Sequence, residues 1–158
     1  MKINTQLRLV LVLCVLVSSY GFSQSKSDYK QPLQLVKYNP NVNAPLTTKE
    51  LNQIKEVYGD KTQEDVLNHP QRVKDIKNIL RNRVIINPIK AGESLKKCTL
   101  LSEVPLFDYY SPNIIRDASF NPESFNPLKY NFNFYSKESA MYRVDNSNYY
   151  IIILSQHQ

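Results

Sequence analysis

The chain has 158 residues, of which 22% are charged, and a formal net charge of +6. Three glycines and two histidines leave little material for phosphate-cradling loops, dinucleotide fingerprints or histidine-centred catalysis. The basic excess is modest and not densely clustered, which does not suit a nucleic-acid binder.

In chain order, Lys2 and Arg8 flank the start of an unbroken apolar run, Leu9 to Val17. Gly21 and Ser23 follow at the −3 and −1 spacing of a cleavage site before Gln24. That is the layout of a secretory signal peptide, so residues 1–23 are expected to be removed. The run is shorter than the roughly 20 residues a bilayer span needs. Cys14 sits mid-run behind Leu13, which does not fit a lipoprotein signal. The mature chain then keeps one cysteine, Cys98, and no later segment that is long and apolar enough to span a membrane. Cys98 reads as a small buried apolar residue in a strand. The sharper reading is an intermolecular bridge or a reactive thiol, with Lys96 and Lys97 beside it.

Residues 24–46 hold Pro32, Pro40 and Pro45 and no helical pattern, so they are predicted to form an extended arm. Thr47-Thr48-Lys49-Glu50 is a capping box. Leu51, Ile54, Val57 and Tyr58 recur at helical spacing after it, and Gly59 suits the left-handed position past the last turn. A second start signal at Thr62 opens a short turn through Leu67. Pro70 fits a first helical position after His69, and Val73, Ile76, Ile79 and Leu80 form the apolar face of a second helix. Its charged flank is the clearest electrostatic feature: Lys74, Lys77 and Arg81 lie on one side of the apolar face, Arg72 and Arg83 on the other. Such a flank is a solvated helix face with cations toward its C-terminus, or a contact surface for an anionic partner.

Beyond Arg83 the period changes. Val84-Ile85-Ile86 reads as a strand ended or set at an edge by Asn87-Pro88, and Cys98 to Val104 as another, closed by Pro105. The pair Ser119-Phe120-Asn121-Pro122 and Ser124-Phe125-Asn126-Pro127 predicts two turns, each with a phenylalanine anchored in the core. Leu128–Tyr135 alternates apolar and polar residues and reads as the first strand of a three-strand meander, with Lys129, Asn131 and Asn133 exposed. The other two strands follow from a turn at Asn146-Ser147. This sets Val144 opposite Tyr149, Tyr142 opposite Ile151 and Ala140 opposite Ile153 on one apolar face, with Arg143 beside Tyr150 on the other. Ile151–Leu154 is apolar on both faces, which suits a strand covered on both sides or one inside the sheet rather than at its edge.

The stretches Pro70-Gln-Arg-Val-Lys-Asp-Ile-Lys, Lys97-Cys-Thr-Leu-Leu-Ser-Glu-Val-Pro-Leu-Phe, Phe125-Asn-Pro-Leu-Lys-Tyr and Met141-Tyr-Arg-Val-Asp-Asn resemble a group of short exported proteins of Bacteroidota (flavobacterial) type. The resemblance implies an address and carries no activity and no functional residues.

The expected class is α+β: an extended N-terminal arm, an antiparallel helix pair over about 47–82, and a mainly antiparallel sheet over about 83–155 ending in the meander, with 47–158 one domain. No catalytic set, cofactor motif or metal-ligand spacing stands out. The expected role is that of an exported, non-enzymatic periplasmic or envelope protein, a binding or structural interaction module without cofactor. Its partner is an envelope protein or an anionic envelope component, with Lys74, Lys77, Arg81, Arg143 and Tyr150 as the candidate contact surface. One alternative is a small secreted hydrolase or ligand-binding protein with a pocket between helices and sheet. Another is a subunit whose open sheet edge pairs with a partner strand.

Overall fold

Each helix begins where the sequence places a start signal. In the computed structural model, which describes residues 36–92 and 97–157, helix α1 spans Thr48–Tyr58. Glu50 N–H donates to Thr47 Oγ1 at 3.2 Å and Thr47 N–H to Glu50 Oε2 at 2.8 Å, which closes the capping box. Gly59 ends the helix at φ 50°, a backbone conformation disfavoured for residues with a Cβ. A tight turn and then a wide, π-type turn over Thr62–Leu67 lead to helix α2, Pro70–Asn78, with Pro70 in its first turn. A second wide turn, Ile79–Arg83, carries the chain into the sheet. The expected cleavage site at Ser23 and Gln24, the first part of the arm and Lys96 lie outside the described residues.

The sheet contains β1 (Val84–Pro88), β2 (Thr99–Leu100), β3 (Ala140–Arg143) and β4 (Tyr149–Ile153) in the order β1-β4-β3-β2. The hairpin register matches the sequence reading pair for pair, from Ala140 opposite Ile153 to Arg143 opposite Tyr150. Asn146 supplies the positive φ the turn requires, at 49°. Ser147 Oγ donates to Val144 O and accepts from Tyr149 N–H, tying the two ends of the turn together. β4 is central, as its two-sided apolar character demands, and β1 is an edge with Pro88 at its end. The β1–β4 and β3–β4 pairs are antiparallel, whereas β2 runs parallel to β3.

The structure departs from three sequence expectations. Leu128–Tyr135 is not a strand. Pro127–Lys129 is a 3-10 turn, Tyr130 makes an isolated bridge to Leu106, and Phe132 and Phe134 donate to carbonyls two residues back. The alternation survives as burial alone, with Tyr130, Phe132 and Phe134 inside and Asn131 and Asn133 outside. Lys129, expected outside, is 2% exposed, because the turn swings it toward Glu56 (3.2 Å) and Asp117 (2.6 Å). The strand expected over Cys98–Val104 is only Thr99–Leu100, since Leu101–Glu103 closes into a turn, and Cys98 is half-buried just before it.

The described residues belong to one compact unit, Gln34–Gln158. Its core joins Ile54 and Val57 of α1, Ile76 of α2, Ile151 and Ile153 of β4 and the aromatic run Tyr130–Phe134. Both Asn-Pro turns form as read. Asn126 is buried, and its amide holds the second turn to Gln53 O and Glu56 Oε2 of α1, both at 2.9 Å. Phe125 fills the core beneath it. No helix among the described residues is long and apolar enough to cross a membrane.

Candidate functional site

The sequence places the contact surface on the basic flank of α2. Its cations face the extended arm. Lys77 is 9% exposed and its Nζ donates to Ala44 O at 3.0 Å. Arg81 grips the Glu50 carboxylate with two parallel bonds, 2.5 and 2.7 Å, and donates to the carbonyls of Asn41, Ala44 and Pro45. Lys74 Nζ stands 4.3 Å from the centre of the Tyr38 ring. Tyr38 in turn donates to Asp75, and burial together with that bond pushes its phenol pKa up to about 12. The flank is therefore a clamp for residues 36–46. An amphipathic pattern separates core from non-core, and cannot tell water from another stretch of the same chain.

The other two candidates lie apart from it, on the sheet face turned away from the core. Arg143 is half-buried. Tyr150, expected to be exposed, is 5% exposed. It occupies β4 between its register partners, Asn87 of β1 and Arg143 of β3.

Among the surface concavities are two that lie away from the arm. The larger, about 610 Å³, is polar and lies beside the hairpin turn, lined by Ser102, Arg116, Asp117, Ser119, Phe120 and Asp145 among others. Its charges are already held by the protein. Asp145 accepts from Ser102 Oγ at 2.6 Å and Ser102 N–H at 2.9 Å. Burial acts to raise its pKa, but these bonds prevail and hold the carboxyl below its ordinary range. Asp117 pairs with Lys129, and Arg116 donates to the carbonyls of Leu101 and Val104. A general acid needs a carboxyl shifted upward, and Asp145 moves the other way.

The second concavity is a groove of about 380 Å³ between α2 and the aromatic run. Its floor comprises Tyr58, Ile76, Ile79, Phe107, Phe132 and Phe134, its rim includes Asn131, Asn133 and Tyr135, and Arg72 stands in its wall. Tyr58, Phe107 and Tyr110 pack on one another with ring centres 4.8–6.2 Å apart. Tyr109, edge-on to Tyr110, is 80% exposed, and Tyr135 is 69% exposed. Arg72 lies over the Tyr58 ring at 5.3 Å and donates to Asp65 O at 2.8 Å. Burial disfavours its charge, yet contact with the Tyr110 and Tyr58 hydroxyls leaves its pKa above the ordinary arginine value.

The chain holds two histidines, and neither they nor Cys98 line either concavity. His69 caps α2 through its backbone, and His157 sits next to the chain end. Among the described residues, no three His, Cys, Asp or Glu side chains are grouped as metal ligands. The groove draws on residues 58, 72, 107 and 131–135, so no short motif announces it. The signals that could have found it are the Phe107–Tyr110 aromatic stretch and Arg72, the cation read onto the opposite flank of α2. No protein-family model, no curated protein and no solved structure matches the chain.

Proposed function

We propose that the chain is an exported, non-enzymatic interaction module of the periplasm or outer envelope, and that it grips an envelope protein in the groove beside Arg72. The observation that carries this reading is the groove's make-up: an apolar aromatic floor, a guanidinium in the wall, exposed Tyr135 on the rim and exposed Tyr109 beside it. Tyr and Arg are the side chains that interaction hot spots favour, and asparagines suit the wettable rim around them. Export is supported by the signal-peptide layout ahead of Gln24 and by the resemblance to short exported Bacteroidota proteins. The hydrolase alternative gains no support from the polar cleft, where Asp145 is held ionised.

The test is a photo-crosslinking side chain placed at Tyr135, at Tyr109 and, as a control, at exposed Lys55 on α1. The cells used are those that make the protein naturally. One discrete protein adduct is expected from the two tyrosine positions and none from Lys55. Absence of an adduct at both tyrosines, or an identical one at Lys55, would overturn the groove as the interaction face. N-terminal sequencing of the extracytoplasmic protein should begin at Gln24; a chain that keeps Met1 and stays in the cytoplasm would overturn the address.

A further inference from the structure

We propose that Arg72 is an anchor for a side-chain carboxylate. On the reading of the groove just given, its occupant is an extended segment of a partner protein that carries aspartate or glutamate next to an apolar residue. A guanidinium has five N–H donors in a fixed fork. Arg72 commits one to Asp65 O at 2.8 Å and another, at 3.4 Å, to Tyr110 OH. Among the described residues no carboxylate lies within ion-pairing distance of it. Of the other inward-held cations, Lys129 has Glu56 and Asp117 and Arg81 has Glu50, whereas Lys77, Arg83 and Arg116 are spent on backbone carbonyls and do not line the aromatic groove.

The fork of Arg72 is thus held in place by a backbone carbonyl and an aromatic ring, with donors to spare beside an apolar floor. Guanidinium binds carboxylate through parallel N–H···O bonds, and these strengthen as water is displaced. The floor beside Arg72 takes an apolar neighbour of that carboxylate. The rim favours a peptide over a small acid. The side chains of Asn131 and Asn133 are exposed and make no protein hydrogen bond among the described residues, so both amides are available to a peptide backbone.

The experiment is selection of a random heptapeptide display library on the immobilised chain, on Arg72→Gln and on Arg72→Lys. Sequences with Asp or Glu beside an aromatic or aliphatic residue should be enriched on the native chain. On Arg72→Gln the acidic preference should fall about tenfold, the scale of a hydrogen bond to a charged group, while the apolar preference stays. Arg72→Lys should restore part of the acidic preference. Enriched peptides should shift the backbone amide resonances of Asn131–Tyr135. Apolar enrichment without acids overturns the carboxylate anchor and leaves the groove reading standing. No enrichment, or peptides whose shifts lie elsewhere, overturns the groove reading itself. If hexanoate moves the same resonances as strongly as an equal concentration of peptide, the occupant is a small acid and the peptide assignment falls.

Discussion

Glu50 is the residue with the most pronounced environment. Its side chain is 10% exposed and accepts from Arg81 through both oxygens and from Thr47 N–H. The Arg81 bond is the main cause, and it outweighs burial to bring the carboxyl pKa down from 4.5 to about 2. The folded pKa lies below the unfolded one, so the carboxylate stabilises the fold above about pH 4.5. That contribution, up to about 3 kcal/mol, is lost as pH falls through about 2. Urea unfolding measured between those pH values should show the decline. Glu50→Gln should cost about 3 kcal/mol at neutral pH, because it leaves Arg81 sequestered without a counter-charge, and should flatten the acid limb of the profile. An unchanged acid limb would mean that another carboxylate governs it. Lys129 shows the contrasting case. Its charge is buried, but Glu56 and Asp117 remain 47% and 43% exposed, so water still shares the load of their charges.

The hairpin makes its own prediction at the scale of the element. Asn146 holds φ at 49°, a region open to glycine and tolerable for asparagine but strained for a β-branched side chain. Asn146→Gly should therefore leave stability unchanged or raise it by up to about 1 kcal/mol, and Asn146→Val should cost about 1–2 kcal/mol. Thermal unfolding of the two variants checks this, and equal midpoints would show that the turn does not fix the register. The hairpin was legible in the sequence because two independent signals agree: a turn residue that accepts positive φ, and a face that is apolar only in one register. The aromatic run before it was legible as burial and not as backbone. Phe132 and Phe134 satisfy their N–H groups on carbonyls two residues back, and an alternating pattern carries no information about where hydrogen bonds go. The α2 flank was misread for a related reason. Lys77 and Arg81 are solvated by carbonyls of the arm, and those partners lie more than thirty positions away in the chain. The groove combines both difficulties, since its walls come from four separated stretches.

At the scale of the molecule, the arm is a structural member of the fold. Val42 is 1% exposed, a 3-10 turn over Pro40–Asn43 aims it inward, and Asn41 exchanges side-chain hydrogen bonds with Asn82 at 2.7 and 3.0 Å. The carbonyls of Asn41, Ala44 and Pro45 receive Lys77 and Arg81. A chain that begins at Thr47 loses the burial of Val42, worth about 1.5–3 kcal/mol. It also exchanges the bonds of Lys77 and Arg81 to those carbonyls for bonds to water, at a further cost of about 1–3 kcal/mol, the net worth of hydrogen bonds to charged groups. Against a whole-domain stability of about 5–15 kcal/mol, the sum is a large fraction. A chain that begins at Val36 keeps all of these contacts. The pair of truncations should differ by about 2.5–6 kcal/mol in urea unfolding, and the shorter one should also respond less to Glu50→Gln, because Arg81 is then open to water. The groove provides the internal control. Arg72 belongs to the opposite flank of α2, whereas Tyr135 shares a small cleft with Val36 and Tyr38 of the arm; the shorter chain, at temperatures where it remains folded, should therefore still select the acidic peptides through Arg72. Equal stability of the two truncations would reduce the arm to a passenger and return Lys74, Lys77 and Arg81 to the surface where their spacing first placed them.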